Sequence, residues 1–288
     1  MTSTPTAAAQ QAIDARRAEL VVRYPGLWAE MVRRWRADEP ADGVWLTYSA
    51  NYLLRTGGVR WAVDPVTLRR RVTEAAPVDV ANDLDGLSFV LLTHRHADHA
   101  DPDLWRALAG HHIRWVVPEY LRRQFRQTTG LRSERVIVAQ EGQRLELDGV
   151  GVTPLRGAHG RDDEGITGVP CTAYLVETRG GRMLFPGDLR TFRTHAFVGI
   201  EPVDTVFAHV WLGQGGALNC QPALTRPFCA FFLRLRPRRV FLTHLHELGR
   251  GPADYWTERH ADLLGREFAR LDPRVEVRVL ATGDGARL

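Results

Sequence analysis

Lysine is absent from the 288-residue chain, so all 38 of its basic residues are arginines, set against 34 acids. The formal charge of +4 is small, and the arginines are scattered among acids instead of forming one basic stretch. Nucleic-acid binding usually needs basic residues that cluster on one face. We therefore expect no nucleic-acid partner.

Cysteine and long apolar runs are also scarce. The three cysteines, Cys171, Cys220 and Cys229, are odd in number and have no C-x-x-C spacing, which argues against a disulfide framework and a thiolate zinc site. No run reaches the length of a membrane-spanning helix, and residues 1–9 lack the apolar core of a signal peptide. We expect a cytoplasmic protein that has no membrane partner.

The order of predicted elements indicates an α/β fold in one large domain. Residues 7–23 and 27–36 have helical patterns separated by Pro25 and Gly26, and short apolar strands alternate with helices after Gly43. No linker divides the remainder, so we assign residues 1–42 to an N-terminal helical extension and residues 43–288 to a single domain. The extension could pack on the domain, act as a lid or mediate an oligomer contact.

The most informative stretch is H-x-H-x-D-H at residues 94–99, which follows the apolar run at residues 89–92 and Thr93. Neutral imidazole and carboxylate are ligands of zinc and other first-row metals. His94 and His96, two positions apart, can converge on one ion, while Asp98 and His99 turn towards a second. A polar loop with solvated histidines is the alternative, but the spacing favours a two-metal site.

Other residues of ligand type also follow apolar strands. Asp64 and Asp188 each end such a strand, and His159 lies among glycines that let the backbone bend. Thr243 and His244 repeat the strand-Thr-His order of the first motif. The repeat suggests two similar halves that feed ligands into one cleft.

Along the chain the order is Asp64, the H-x-H-x-D-H motif, His159, Asp188 and His244. These motifs, in this order, resemble those of the metallo-β-lactamase superfamily. The resemblance covers residues 43–285 and rests on the H-x-H-x-D-H motif together with Asp64, His159, Asp188 and His244. It implies an α/β fold of the αββα type, a four-layer sandwich in which two mixed sheets lie face to face between helices. Residues 44–65 also resemble the branch related to ascorbate-6-phosphate lactonase, although residues 48–51 read Tyr-Ser-Ala-Asn where that branch has Gly-His-Ala-Ser.

The same resemblance implies a role for each motif residue. Two zinc ions would be bound, with manganese or iron as alternative metals. Asp64 and Thr93 would support the ligands from behind. The first ion would be held by His94, His96 and His159, the second by Asp98, His99 and His244, and Asp188 would bridge both.

A binuclear site of this kind predicts a metal-dependent hydrolase. A hydroxide held between the metals would attack a small ester, lactone, amide or thioester. The same nucleophile would serve a phosphodiesterase that acts on nucleotides or lipid head groups. Two further alternatives are an iron-dependent oxygen or redox enzyme and a non-catalytic protein that keeps the metals for structure.

Candidates for proton transfer and substrate binding lie beside the metal motifs. Asp98 would orient the nucleophile, and a metal-bound water, Tyr48, His209 or His246 could protonate the leaving group. Arg190, just beyond the bridging carboxylate, could bind an anionic group of a small-molecule substrate in a bidentate manner. His209 could contact the substrate as well.

Overall fold

The computed structural model describes residues 5–37, 41–160, 168–193 and 195–288. Within these ranges, the strands form two mixed sheets of seven strands each. The first sheet contains β1 (Gly43–Leu46), β2 (Tyr52–Thr56), β3 (Val59–Val63), β4 (Phe89–Leu91), β5 (Arg114–Pro118), β6 (Val136–Ala139) and, from the end of the chain, β14 (Gly285–Arg287). β14 pairs with β1 at one edge, and the other strands follow in chain order.

The second sheet has a similar plan. It contains β7 (Leu145–Leu147), β8 (Val150–Arg156), β9 (Thr172–Thr178), β10 (Gly181–Phe185), β11 (Thr205–His209), β12 (Arg239–Thr243) and β13 (Glu276–Val279), in chain order across the sheet. In each sheet an antiparallel meander is followed by parallel strands. This repeated plan agrees with the two similar halves that the strand-Thr-His repeat indicates.

Helices cover the outer faces of both sheets. The first sheet carries α1 (Pro5–Arg36), α2 (Val80–Asp83), α3 (Pro102–Leu108) and α4 (Glu119–Thr129), and the second carries α5 (Thr225–Leu233) and α6 (Glu258–Leu271). Along β2, Leu53 faces these helices and Leu54 faces the other sheet, because side chains alternate along a strand. The result is a four-layer αββα sandwich, which confirms the predicted fold class. None of the helices in the described ranges is long and apolar enough to cross a membrane.

The predicted break in the N-terminal helix is wrong, because α1 is continuous and contains Pro25. A proline removes one intrahelical N–H donor and crowds the preceding turn. Here the buried residues on both sides are anchored to the first sheet: the Tyr24 hydroxyl donates to the Thr47 carbonyl at 3.1 Å, and Trp35 Nε1 donates to the Leu54 carbonyl at 3.0 Å. This tertiary packing outweighs the local preference for a break. The division of the chain at residue 42 and a role of α1 in an oligomer stay predictions.

Candidate metal centre

Candidate ligands from both sheets meet at one edge of the sandwich. Asp64 follows β3 and His94 follows β4 in the first sheet, while Asp188 follows β10 and His244 follows β12 in the second. These strands are parallel within each sheet, so their carboxyl ends lie together, where α/β sheets usually build their sites. The amide of His244 donates to the carbonyl of Ser49 at 2.7 Å, which joins the two sheet edges.

The first group of donor atoms comes from His94, His96, His159 and Asp188, and these atoms lie within 4.8 Å of one another. Nδ1 of His96 is 3.2 Å from Nε2 of both His94 and His159. Burial lowers the pKa of His94 well below its usual value, lowers the pKa of His96, and lowers the pKa of His159 to about 4. The three imidazoles are therefore neutral at neutral pH, which is the form that binds a metal.

The second group comes from Asp98, His99, Asp188 and His244. Nε2 of His244 is 3.0 Å from Oδ2 of Asp98, and Nε2 of His99 is 3.3 Å from Oδ1 of Asp188. Burial favours the neutral form of both carboxyl groups, but the neighbouring imidazoles outweigh it and hold the pKa of Asp98 and of Asp188 well below the usual value. Asp188 belongs to both groups, so its two oxygens can serve two ions.

The donor atoms fit two metal ions better than a closed hydrogen-bond network. Buried polar atoms are normally hydrogen-bonded, yet Nδ1 of His244 has no such partner among the described residues and lies 3.7 Å from Oδ1 of Asp188. The facing nitrogens of His94 and His96 can share only one proton between them. Imidazole and carboxylate donors without thiolate suit zinc and other first-row metals. Each group would hold one ion, with Asp188 between them.

Asp64 and Thr93 fix the histidine ligands from behind. Oδ1 of Asp64 accepts a hydrogen bond from the Thr93 amide at 2.7 Å, and its Oδ2 contacts the Thr93 hydroxyl and lies 2.8 Å from Nδ1 of His99. The same hydroxyl is 2.9 Å from Nδ1 of His94. With Nδ1 of both rings engaged, Nε2 of each is left to face the site.

Asp64→Ala should therefore weaken zinc binding by about 10- to 100-fold, the usual effect of losing a residue that orients a histidine ligand. The measurement is a competition titration of the zinc-loaded protein against a chromogenic chelator. Asp85→Ala is the matched control, because it removes an exposed carboxylate that lies 3.3 Å from Nδ1 of His111. Wild-type zinc affinity in Asp64→Ala would show that Asp64 does not orient the ligands.

The backbone at this edge adopts conformations that most residues avoid. Asp64, His244 and His246 have φ angles of 43°, 65° and 54°, in the left-handed region that disfavours residues other than glycine. Gly187 has a φ of 64°, and a Cβ there would lie 2.6 Å from Sγ of Cys171. Such strain is typical of functional sites, where the surrounding fold enforces it. Position 187 therefore requires glycine to place the Asp188 carboxylate.

Two residues predicted to contact substrate, His209 and Arg190, both lie against Asp188. His209 is buried, its Nδ1 is 3.0 Å from Oδ1 of Asp188, and burial lowers its pKa to about 4. Nη2 of Arg190 is 3.4 Å from Oδ2 of the same carboxylate. The structure thus brings both residues to the candidate metal centre.

Two residues predicted to transfer protons, Tyr48 and His246, make other contacts. The Tyr48 hydroxyl is 3.3 Å from Oε1 of Glu247 and accepts a hydrogen bond from the backbone amide of Leu248 at 2.8 Å. Nδ1 of His246 is 3.0 Å from the Tyr255 hydroxyl, and its Nε2 is 2.6 Å from Oε2 of Glu258. Neither belongs to a group of potential metal ligands in the described part of the chain.

Asn51 is a site residue that sequence reasoning missed. Its buried Nδ2 donates to the carbonyls of Asp64 at 2.8 Å and Asp98 at 2.7 Å, and its Oδ1 accepts from the Ser49 amide at 3.0 Å. Asn51 therefore ties the loop that carries the H-x-H-x-D-H motif to the turn between β1 and β2. A polar residue at the start of a buried strand is the sequence signal that could have found it.

Glu247 and Arg250 were also missed. Nη2 of Arg250 lies 3.3 Å from Nε2 of His244, and its Nε lies 3.5 Å from Oε2 of the buried Glu247. The position of Glu247 soon after a strand-end histidine is a usable signal. The sequence contains no comparable signal for Arg250.

The fold and the donor groups agree with a known family. The family model of the beta-lactamase superfamily domain matches residues 60–245, which is more than half of the chain. The chain belongs to this superfamily. The class that its fold and site define is a metal-dependent hydrolase. No curated protein matches the chain.

Solved structures with the same fold share little sequence with the chain. Igni18, a metallo hydrolase from Ignicoccus hospitalis, is 18% identical with a TM-score of 0.59, over 86% of this chain and 98% of its own. Isothiocyanate hydrolase from Delia radicum gut bacteria is 17% identical with a TM-score of 0.58, over 85% and 98%. CmlA, a diiron β-hydroxylase from Streptomyces venezuelae, is 18% identical with a TM-score of 0.57, over 88% of this chain and 55% of its own. At these identities the likeness is one of fold alone.

Proposed function

We propose that the chain is a binuclear zinc-dependent hydrolase of a small ester, lactone, amide or thioester. One observation carries this proposal: of the three groups of potential metal ligands in the described residues, the two four-residue groups share Asp188, and the third joins Asp64 to His94 and His99. Two groups with a shared carboxylate suit a pair of ions and not a single structural ion. His96 is only half-buried, so water and a small substrate can reach the first group.

The chemistry would be divided between the metals and the chain. When bound, two divalent metals supply the nucleophile by lowering the pKa of a coordinated water towards about 7. Asp98 would accept a hydrogen bond from the attacking water at a carboxylate oxygen and so orient it. Of the three candidate proton donors, Tyr48 and His246 are engaged elsewhere, which leaves His209, beside Asp188, to protonate the leaving group. Asp64 would keep the His99 ring oriented throughout.

Lactones are the first substrates to test, because residues 44–65 resemble the ascorbate-6-phosphate lactonase branch. In this chain Ser49 stands where that branch has histidine, and Asn51 stands where it has serine. Asn51 is committed to backbone contacts with Asp64 and Asp98. We therefore expect a lactone or ester that differs from the sugar phosphate of that branch.

Iron-dependent oxygen chemistry is the second candidate function. The donor chemistry favours it, because imidazole and carboxylate donors also accept iron; the fold, which the diiron β-hydroxylase CmlA shares, is compatible with such a site. Stoichiometric iron with a visible absorption band in the purified protein would support this candidate over zinc-dependent hydrolysis.

A substrate panel on the zinc-loaded protein tests the leading proposal. Lactones and 4-nitrophenyl acetate probe carbonyl centres, and bis(4-nitrophenyl) phosphate probes phosphodiester hydrolysis. We expect turnover of carbonyl substrates that a chelator removes and added zinc restores. Turnover of the phosphodiester alone would replace the proposal with a phosphodiesterase, and no turnover of any substrate would contradict it.

A further inference from the structure

Two arginines from different segments converge on the carboxylates of the candidate metal centre. Nη2 of Arg190 lies 3.4 Å from Oδ2 of Asp188, and Nη2 of Arg250 lies 3.8 Å from the same oxygen and 3.7 Å from Oδ2 of Asp98. The two arginine side chains are 15% and 16% exposed. Both side chains therefore keep a small solvent-exposed area next to the candidate metal centre.

Each arginine is held in place by another contact. The Arg190 guanidinium carbon lies 4.9 Å from the centroid of the Trp211 ring, within the range of a cation–π interaction. Nε of Arg250 lies 3.5 Å from Oε2 of Glu247, whose Oε1 accepts a hydrogen bond from Nε of Arg71 at 2.8 Å. Arg71 and Arg250 thus share one carboxylate.

The charge balance of the two site arginines depends on what Asp98 and Asp188 bind. Without a bound metal, the negative charges of Asp98 and Asp188 balance the positive charges of the two arginines. Once the carboxylates ligate cations, the arginines keep only a share of Glu247 and the longer-range effect of Asp254 on Arg190. A partly buried cation without a counter-ion is unfavourable. An anion bound beside the metals would restore the balance.

We infer that Arg190 and Arg250 form a subsite for an anionic group of the substrate, a carboxylate or a phosphate that is separate from the bond to be hydrolysed. The inference rests on the proposed hydrolase function and narrows its substrates to anionic esters, lactones, amides or thioesters. Guanidinium groups bind such anions through paired N–H donors. A neutral substrate of the same length would lack this contact.

A matched pair of esters tests the subsite. Mono-4-nitrophenyl adipate and 4-nitrophenyl hexanoate have acyl chains of equal length, but only the adipate ends in a carboxylate. We expect the zinc-loaded protein to hydrolyse the adipate with a kcat/KM about 10- to 100-fold higher, the range of a charge-assisted contact. Arg190→Met and Arg250→Met should remove this preference, mainly by raising KM. Arg193→Met, which changes an exposed arginine nearby, should keep it.

Binding measured without turnover provides an independent readout. In calorimetric titrations of the zinc-loaded protein, adipate should bind about 10- to 100-fold more tightly than hexanoate. Arg190→Met should remove this difference while its zinc content and circular dichroism stay those of the wild type. 5-Phosphonopentanoate, in which a phosphonate replaces one carboxylate of adipate, shows which anion the subsite prefers.

The outcomes separate the subsite from the hydrolase proposal. Tighter binding of adipate or the phosphonate, without turnover of either ester or of any substrate in the panel above, would support the subsite and contradict the hydrolase. Equal hydrolysis of both esters, with neither dianion bound more tightly than hexanoate, would overturn the subsite and leave the hydrolase standing. A preference for adipate that survives in both arginine variants would also overturn the subsite.

Discussion

Replacing Asp188 by Asn should lower kcat/KM on the best carbonyl substrate by about 10³-fold or more. Asp188 belongs to both donor groups, and its Oδ1 is 3.0 Å from Nδ1 of His209 and 3.3 Å from Nε2 of His99. An amide of the same size keeps the packing but removes the charge and leaves one acceptor oxygen for two ions. The expected drop corresponds to losing several kcal/mol of metal-dependent transition-state stabilisation.

Zinc content gives a second readout for this variant. We expect Asp188→Asn to bind fewer than two zinc ions per chain under conditions that saturate the wild type. Asp103→Asn is the matched control, because Asp103 is exposed and pairs only with Arg106 at 2.7 Å among the contacts described. Two tightly bound zinc ions together with wild-type kcat/KM in Asp188→Asn would contradict its role as a shared ligand.

His96→Ala should lower kcat by about 10³-fold or more. His246→Ala should keep most of the wild-type kcat. Nδ1 of His96 lies 3.2 Å from the donor nitrogens of two other candidate ligands, so its loss removes one ligand of an ion that supplies several kcal/mol. His246 instead contacts Tyr255 and Glu258. Its loss should lower the free energy of unfolding by about 1 kcal/mol, the usual value of a hydrogen bond.

These two histidine variants are compared by kcat, zinc content and urea denaturation. Equal losses of kcat at full zinc content would assign His246 a direct part in proton transfer. Wild-type turnover and zinc content in His96→Ala would contradict the first donor group. The comparison is informative because the two histidines occupy similar places in their strand-Thr-His-x-His sequences.

The motif residues can be predicted from the sequence because strand ends are local features. Apolar runs before Thr93 and Thr243 mark strands that are buried on both faces. Residues that follow such strands lie at a sheet edge, and parallel neighbours share that edge. His94, Asp188 and His244 can therefore each be placed at a sheet edge from local pattern alone, while their meeting across the two sheets was implied by the family resemblance.

The features that were missed depend on contacts between distant segments. β14 has only three residues, and its pairing, with Gly43 opposite Arg287, joins the two ends of the domain. Asn51 and Arg250 acquire their roles from loops far away in the sequence. Pro25 favours a helix break locally, but packing of the buried helix face against the first sheet keeps α1 continuous.

Elemental analysis of the protein purified without added metal, followed by zinc titration of the chelated protein, tests the shared two-ion site most directly. The proposed binuclear hydrolase predicts two zinc ions per chain, a colourless protein, and hydrolysis that reaches its maximum only when the second equivalent is bound. Full activity with one zinc ion per chain, or no uptake of metal on titration, would contradict a binuclear centre bridged by Asp188.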